Sequence, residues 1–181
     1  ERIYLMKLRE TIMKLVFLIA ACCSVLAVAL ICIFLFMNGV PAIFKIGPLK
    51  MLGDGALGAR TAFLSRPYAD DPSTCGIPVF TQETMDEMIG YANAHGMQAA
   101  VHTIGDACLD RVLSAYEKAL AENPREDHRH GIVHCQITRA DQLEKIAKMH
   151  LHVYAQSIFL DYDNHIVEER VGKELASTSY S

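Results

Sequence analysis

The chain has 181 residues, of which 51% are hydrophobic, and a formal net charge of −4. A mildly acidic chain has no general electrostatic attraction to phosphate backbones, so we expect no nucleic-acid partner. The six cysteines show no CxxC or other paired spacing, which argues against a disulfide framework and a zinc knuckle.

The chain begins with a basic leader, residues 1–14, followed by an apolar run over residues 15–37 that only Ser24 interrupts. About 23 helical residues span roughly 34 Å, enough to cross a bilayer, and the run is too long for the apolar part of a signal peptide. Positive charge favours the cytoplasmic side, so we expect a single-pass membrane protein with a cytoplasmic N-terminus. The basic residues before the run are Arg2, Lys7, Arg9 and Lys14.

Two alternatives remain for the apolar run. It could be a buried core helix, or a spurious stretch fused to the remaining domain, which would then be cytoplasmic. Apolarity shows only that a segment is able to insert into a membrane.

Short apolar segments alternate with amphipathic segments after position 43. The apolar segments predict four strands, over residues 43–51, 97–102, 131–136 and 151–159. This alternation is typical of repeated βαβ units, which form a parallel sheet. Residues 161–181 are charged and then rich in serine, and we expect a frayed or truncated tail there.

Three helices are predicted between these strands. The first is capped by Thr81 and ends near Gly96, and the second opens at Gly105 and closes at Asn123. The third opens at Thr138 with a capping box. Chemistry in such folds lies at the carboxyl ends of the strands.

Three predicted strands end in a residue that could hold a metal: Lys50, His102 and His134. Neutral imidazole is a good zinc ligand, and neighbouring parallel strands direct their ends into one shared pocket. Lysine is normally protonated and cannot ligate a metal unless it is carboxylated to a carbamate. The other strand-associated histidines precede their strands, and we interpret them as surface residues: His128, His130, His150 and His152.

Five segments, in this order, resemble the pattern of amidohydrolase family 3, the YtcJ-like branch of the amidohydrolase superfamily. The similarity covers about residues 44–160, with residues 161–181 as the tail. The segments are Gly47-Pro48-Leu49-Lys50, Asp54-Gly55-Ala56-Leu57-Gly58-Ala59-Arg60-Thr61-Ala62, Pro67-Tyr68, Val101-His102-Thr103-Ile104-Gly105-Asp106 and His134-Cys135-Gln136.

The resemblance implies an α/β fold, a partial (β/α)₈ TIM barrel with about strands four to seven. A complete barrel usually needs roughly 250 residues, more than the chain holds after position 37. It also implies a metal-dependent hydrolase that cleaves carbon–nitrogen bonds of amide type, other than peptide bonds, in a small-molecule substrate. The expected cofactor is a divalent metal, one or two zinc ions.

The resemblance also implies roles for individual residues. Lys50, His102 and His134 would be metal ligands, and Lys50 and Asp106 are the candidate catalytic residues. Arg60 and Asp54 are the candidate substrate-binding residues. Asp106 and Asp54 could instead serve a helix cap and a loop.

The sequence departs from the family pattern in its ligand set. The His-x-His pair of strand one and the Asp of strand eight are not found, and Val133 stands where an acidic residue is usual. We therefore expect little or no hydrolase activity from these 181 residues alone. The alternative is a non-catalytic single-pass membrane protein whose outer domain binds a ligand or partner, with a partner chain or a second copy covering the open sheet.

Overall fold

Two units divide the chain, Glu1–Lys45 and Ile46–Ser181. The computed structural model describes the backbone of residues 2–46 and 48–179, and the side chains at 9, 12–34, 37 and 48–179.

The described residues of the first unit all belong to one helix, α1, which spans Arg2–Ile46 and so ends one residue beyond that unit. Within it, Ile12–Phe34 has a mean hydropathy of 3.0 and is not buried, so it is long and apolar enough to cross a membrane. A signal sequence or the core helix of a soluble protein would meet the same criterion. The prediction of a strand from residue 43 was wrong, because the helix continues through Ile46. Short apolar runs fit a helix or a strand equally well.

The second unit contains four parallel strands, each followed by a helix, as the alternating sequence pattern predicts. The sheet order follows the chain, β1-β2-β3-β4. In chain order the elements are β1 (Leu49–Leu52), α2 (Gln82–Ala94), β2 (Ala99–Thr103), α3 (Asp106–Glu122), β3 (Gly131–His134), α4 (Ala140–Lys148), β4 (His152–Tyr154) and α5 (Ile158–Ala176).

One face of this sheet packs against helices and the other does not. Met51, Val101 and Ile132 are buried in a core built with α2, α3 and α4. On the opposite face, Leu52 is paired in register with His102, and both point away from that core. Leu52 is 54% exposed, so within the described residues this face is open. The described residues therefore form an open four-stranded sheet, and its closure into a barrel stays a prediction.

A second core lies at the carboxyl ends of the strands. Leu57, Leu64 and Tyr68 of the β1–α2 loop pack there with Ile104 and with buried side chains of α5. The expectation of a frayed tail was wrong for this segment, because α5 buries apolar residues on both sides of a break in the helix at Gly172, where φ is 77°. These residues are Val167, Val171 and Leu175.

The ends of several elements differ from the predictions. The Thr81 cap of α2 is confirmed, and its hydroxyl accepts the Thr84 N–H at 3.3 Å. The cap of α4 is Arg139, whose N–H donates to the Gln142 side chain at 3.0 Å, so the box predicted at Thr138 was wrong. The fourth strand is also shorter than predicted, because α5 takes the apolar residues from Ile158 onward.

Two histidines predicted to lie at the surface are buried instead. His130 accepts the Ala99 N–H at Nδ1, 3.0 Å away, and its Nε2 lies 3.1 Å from Asn93 Oδ1. His128 stacks on His130, with 4.8 Å between ring centroids, and its Nδ1 accepts the His130 N–H. Because both Nδ1 atoms accept backbone hydrogens, both rings must be neutral. Burial lowers the pKa of His130 to about 4.

The neutral His130 predicts a loss of stability in acid. Its pKa rises to about 6.5 when the chain unfolds, so the unfolded state binds more protons between pH 4 and 6.5. The stabilisation is complete above pH 6.5 and is lost towards pH 4, by up to about 3 kcal/mol. Urea unfolding followed by circular dichroism at several pH values would measure it.

Two variants separate His130 from the other titrating groups. His130→Gln should be less stable at pH 7 but should show a flatter pH dependence, because the amide does not titrate. His95→Gln, at an exposed histidine, should retain the full slope. An unchanged slope in His130→Gln would contradict the assignment.

Candidate metal site at the strand ends

His102 lies near the carboxyl end of β2, where the β1–α2 loop contacts it. Its Nε2 is 3.0 Å from the Gly55 carbonyl oxygen and 3.7 Å from Asp54 Oδ1. A carbonyl oxygen can only accept, so Nε2 carries the hydrogen and donates it to Gly55. In the neutral tautomer, Nδ1 then holds the lone pair that a metal would need. The side chain is 18% exposed, so it remains accessible.

His134 reaches His102 through an unusual backbone. In the sheet His134 pairs with Thr103. In a regular strand the His134 ring would therefore lie on the same face of the sheet as Thr103, which is the face opposite to His102. His134 instead has φ 75°, and Cys135 has φ 54°. The rings of His134 and His102 meet edge to face, with 4.5 Å between centroids. This left-handed backbone costs energy in a non-glycine residue and ends β3 two residues earlier than predicted.

The Nδ1 atom of His134 is buried and has no hydrogen-bond partner in the described part of the chain. Burial lowers the pKa of His134, and the nearby His102 and Lys50 lower it further. The ring is therefore neutral near pH 7, the form that ligates metals. A buried imidazole nitrogen without a partner is costly unless a ligand satisfies it.

Lys50, on β1, is exposed and lies close enough for its charge to act on His134. Among the described residues no group of three or more His, Cys, Asp or Glu side chains is arranged to hold a metal. Two imidazoles with available Nδ1 atoms fit a metal ion as a partial ligand set. A protonated lysine does not add a ligand to that set.

Asp54 joins the loop after β1 to the end of β2. Its fully buried carboxylate accepts the N–H groups of Phe63 at 3.0 Å, Ile104 at 3.0 Å and Gly105 at 2.8 Å. Burial raises the pKa of Asp54, although these donors and His102 oppose the rise. These contacts fit the loop role that the sequence left open for Asp54, and substrate binding by Asp54 stays a prediction.

Arg60, the other candidate substrate-binding residue, is held by an ion pair. It donates two hydrogen bonds to Asp70, with Nη2 at 2.7 Å from Oδ2, and Arg170 of α5 binds the same carboxylate. Asp70 therefore joins the loop to α5. Substrate binding by Arg60 stays a prediction.

The candidate catalytic residue Asp106 is also bound on both oxygens. Oδ1 accepts the Ser65 N–H at 2.9 Å, and Oδ2 accepts a hydrogen bond from Arg139 at 2.8 Å. Neither contact caps α3, whose N-cap is Gly105 and has no side-chain hydrogen bond, so the helix-cap alternative was wrong. A catalytic role of Asp106 stays a prediction.

The structure thus brings together Lys50, His102, His134 and the supporting Asp54. A further neighbour, Phe159, was missed because it was assigned to the fourth strand. Its ring lies edge to face with that of His134, with 5.4 Å between centroids. A single phenylalanine carries no sequence signal for such a contact.

Burial raises the pKa of Cys135 to about 11, so this thiol is protonated near pH 7.

The parallel sheet, with a histidine pair at its carboxyl edge, places this chain among the α/β proteins. Ligands of such proteins bind at the carboxyl ends of the strands. A sequence model described as "Amidohydrolase family" matches residues 36–181. The chain belongs to the amidohydrolase family.

Two protein sequences and two crystal structures illustrate the similarity. "Putative amidohydrolase YtcJ" of Bacillus subtilis (strain 168) is 39% identical over 137 residues, covering 76% of this chain and 25% of that protein. "Protein LONG AFTER FAR-RED 3" of Arabidopsis thaliana is 30% identical over 131 residues, covering 72% and 22%.

The crystal structures are of uncharacterized metal-dependent hydrolases from Pyrococcus furiosus and Pyrococcus horikoshii OT3. Each has a TM-score of 0.64 and covers 72% of this chain and 26% of the solved one, at 39% and 37% identity respectively. The chain therefore spans about a quarter of the length of the relatives it matches.

The Asp54 network predicts a large stability loss in Asp54→Asn. The amide nitrogen of asparagine cannot accept a hydrogen bond, so at least one buried backbone N–H loses its partner and faces another donor. We expect the free energy of unfolding to fall by about 3 kcal/mol. Urea unfolding of both chains would measure the difference. Asp127→Asn, at an exposed aspartate that pairs with Arg129 in its own loop, is the matched control and should change little. Equal stability of Asp54→Asn and the parent chain would refute the role of Asp54.

Proposed function

We propose that these residues belong to a metal-dependent hydrolase that cleaves carbon–nitrogen bonds of amide type, other than peptide bonds, in small molecules. The family membership and the two metal-dependent hydrolase structures support this proposal. The observation that carries it is the Nδ1 of His134, which is buried near the ring of His102 and has no hydrogen-bond partner among the described residues.

The proposed cofactor is a divalent metal, one or two zinc ions, held by His102 and His134. When bound, such an ion lowers the pKa of a coordinated water towards about 7 and polarises the substrate carbonyl. The Gly55 carbonyl fixes His102 in the tautomer that leaves Nδ1 available, and Asp54 holds the loop that positions Gly55.

Lys50 is the proposed third ligand and a catalytic residue. After its ammonium group loses a proton to solvent, the exposed amine can form a nitrogen–carbon bond to carbon dioxide and release a second proton to solvent, which gives a carbamate. The carbamate carries a negative charge and would bind a metal as a carboxylate does. Carbamate formation would also remove the positive charge that Lys50 now places near His134.

The apolar part of α1 supports a second proposal, that residues 15–37 anchor the protein in a membrane with the N-terminus in the cytoplasm. Membrane attachment is compatible with a hydrolase. It is equally compatible with a non-catalytic outer domain that binds a ligand, or a partner chain or second copy over the open sheet face. Metal binding separates the hydrolase from the non-catalytic alternative.

The metal proposal predicts loss of zinc in histidine variants. The full chain, purified in detergent and equilibrated with zinc, should retain zinc in stoichiometric amounts. His102→Ala and His134→Ala should each lower the affinity at least tenfold, because each removes one of two imidazole ligands. Equilibrium dialysis with elemental analysis measures the bound metal.

His150→Ala is the matched control, because His150 is exposed and does not lie at the strand ends that carry the pair. It should bind zinc as the parent chain does. Zinc content that is unaffected by either of the two site variants would contradict the metal site and favour the non-catalytic alternative.

A further inference from the structure

We propose that the cavity beside His134 binds an apolar substituent of the substrate, an alkyl or aryl group larger than methyl, next to the amide that is cleaved. This inference rests on the proposed hydrolase function and adds to it the class of substrate. It starts from a cavity of about 430 Å³ in the second unit, within the usual size range of small-molecule sites.

The lining of this cavity is mainly apolar and comes from the end of β3 and from the next three elements, α4, β4 and α5. Leu143 belongs to α4 and Val153 to β4. Phe159 and Leu160 belong to the first turn of α5, and Ala155 lies between β4 and α5. Val153 and Leu160 are each 43% exposed, although both are large and apolar. Covering such surface with an apolar group is favourable by about 25 cal/mol per Å².

The cavity borders the candidate metal site at His134, whereas His102 and Lys50 do not line it. His134 lines it, and the Phe159 ring, which also lines it, packs against the His134 ring. A substrate whose amide lies at the histidine pair would therefore extend its substituent along His134 into the cavity. Gln156 and Ser157 also line it and can hydrogen-bond to a polar part of the same molecule.

This geometry predicts a preference that increases with chain length. A methyl group is too small to reach across His134 to Leu143 and Leu160, whereas a longer chain buries apolar surface on each of them. Each methylene that becomes buried strengthens binding about fourfold. Charged substituents are disfavoured, because the wall offers no charged partner among its described residues.

The test uses two simple amides, acetamide and hexanamide, with the full metal-free chain in lipid nanodiscs. Methyl NMR of leucine- and valine-labelled protein reports the binding position directly. Hexanamide should shift the methyl resonances of Leu143, Val153 and Leu160, and should bind at least tenfold more tightly than acetamide. Methyl groups of Val112 and Leu113, in the helix-side core, should not shift. Equal affinities, or shifts away from the cavity, would overturn the proposal.

Two variants change the cavity without touching the histidines. Ala155→Phe should fill it and abolish the hexanamide shifts, whereas Ala121→Phe, at an exposed alanine of α3, should leave them intact. Leu160→Ala, at a half-exposed position, should weaken hexanamide binding severalfold. Unchanged Val112 and Leu113 resonances would show that each variant is folded. Retention of the shifts in Ala155→Phe would overturn the proposal.

Because the amides are tested without metal, this experiment and the zinc measurement fail independently. Zinc binding without cavity shifts overturns the substrate preference alone. Cavity shifts without zinc binding overturn the proposed hydrolase, and with it the assignment of the cavity to a hydrolase substrate.

Discussion

The carboxylate of Asp54 is the interaction on which the strand-end region depends. It is fully buried and receives three backbone N–H groups, one from the long β1–α2 loop and two from the turn between β2 and α3. These bonds hold the loop against the sheet and bring the Gly55 carbonyl to His102. Without them, neither the tautomer of His102 nor the second core around Leu57 would be fixed by the chain.

The regular part of the fold could be predicted from the sequence. The periodicity of α2 and α3, the Thr81 cap and the parallel order of the strands all follow from local pattern and from the alternation of elements. The buried state of His128 and His130 could not, because it depends on backbone N–H groups and an asparagine that only the tertiary structure brings to them. Helix α5 was missed because its buried stripe of three residues lies among charged ones.

The candidate site was predicted only in part. The positions of Lys50, His102 and His134 at strand ends are visible in the sequence, and the structure brings them together. The turn of His134 towards its neighbour was not visible, because it requires two consecutive residues with positive φ that no local propensity favours. Arg60 and Asp106 were selected for their chemistry, but each is bound to an oppositely charged residue whose position depends on the fold.

We propose that two imidazoles, presented by β2 and β3, are the metal-binding part of this amidohydrolase-family chain. Zinc K-edge X-ray absorption of the zinc-loaded full chain tests it most directly, because imidazole nitrogen and thiolate sulfur differ in bond length. Coordination by His102 and His134 predicts imidazole scattering from two histidines at about 2.0 to 2.1 Å. A spectrum dominated by sulfur at about 2.3 Å, or one without imidazole scattering, would contradict it.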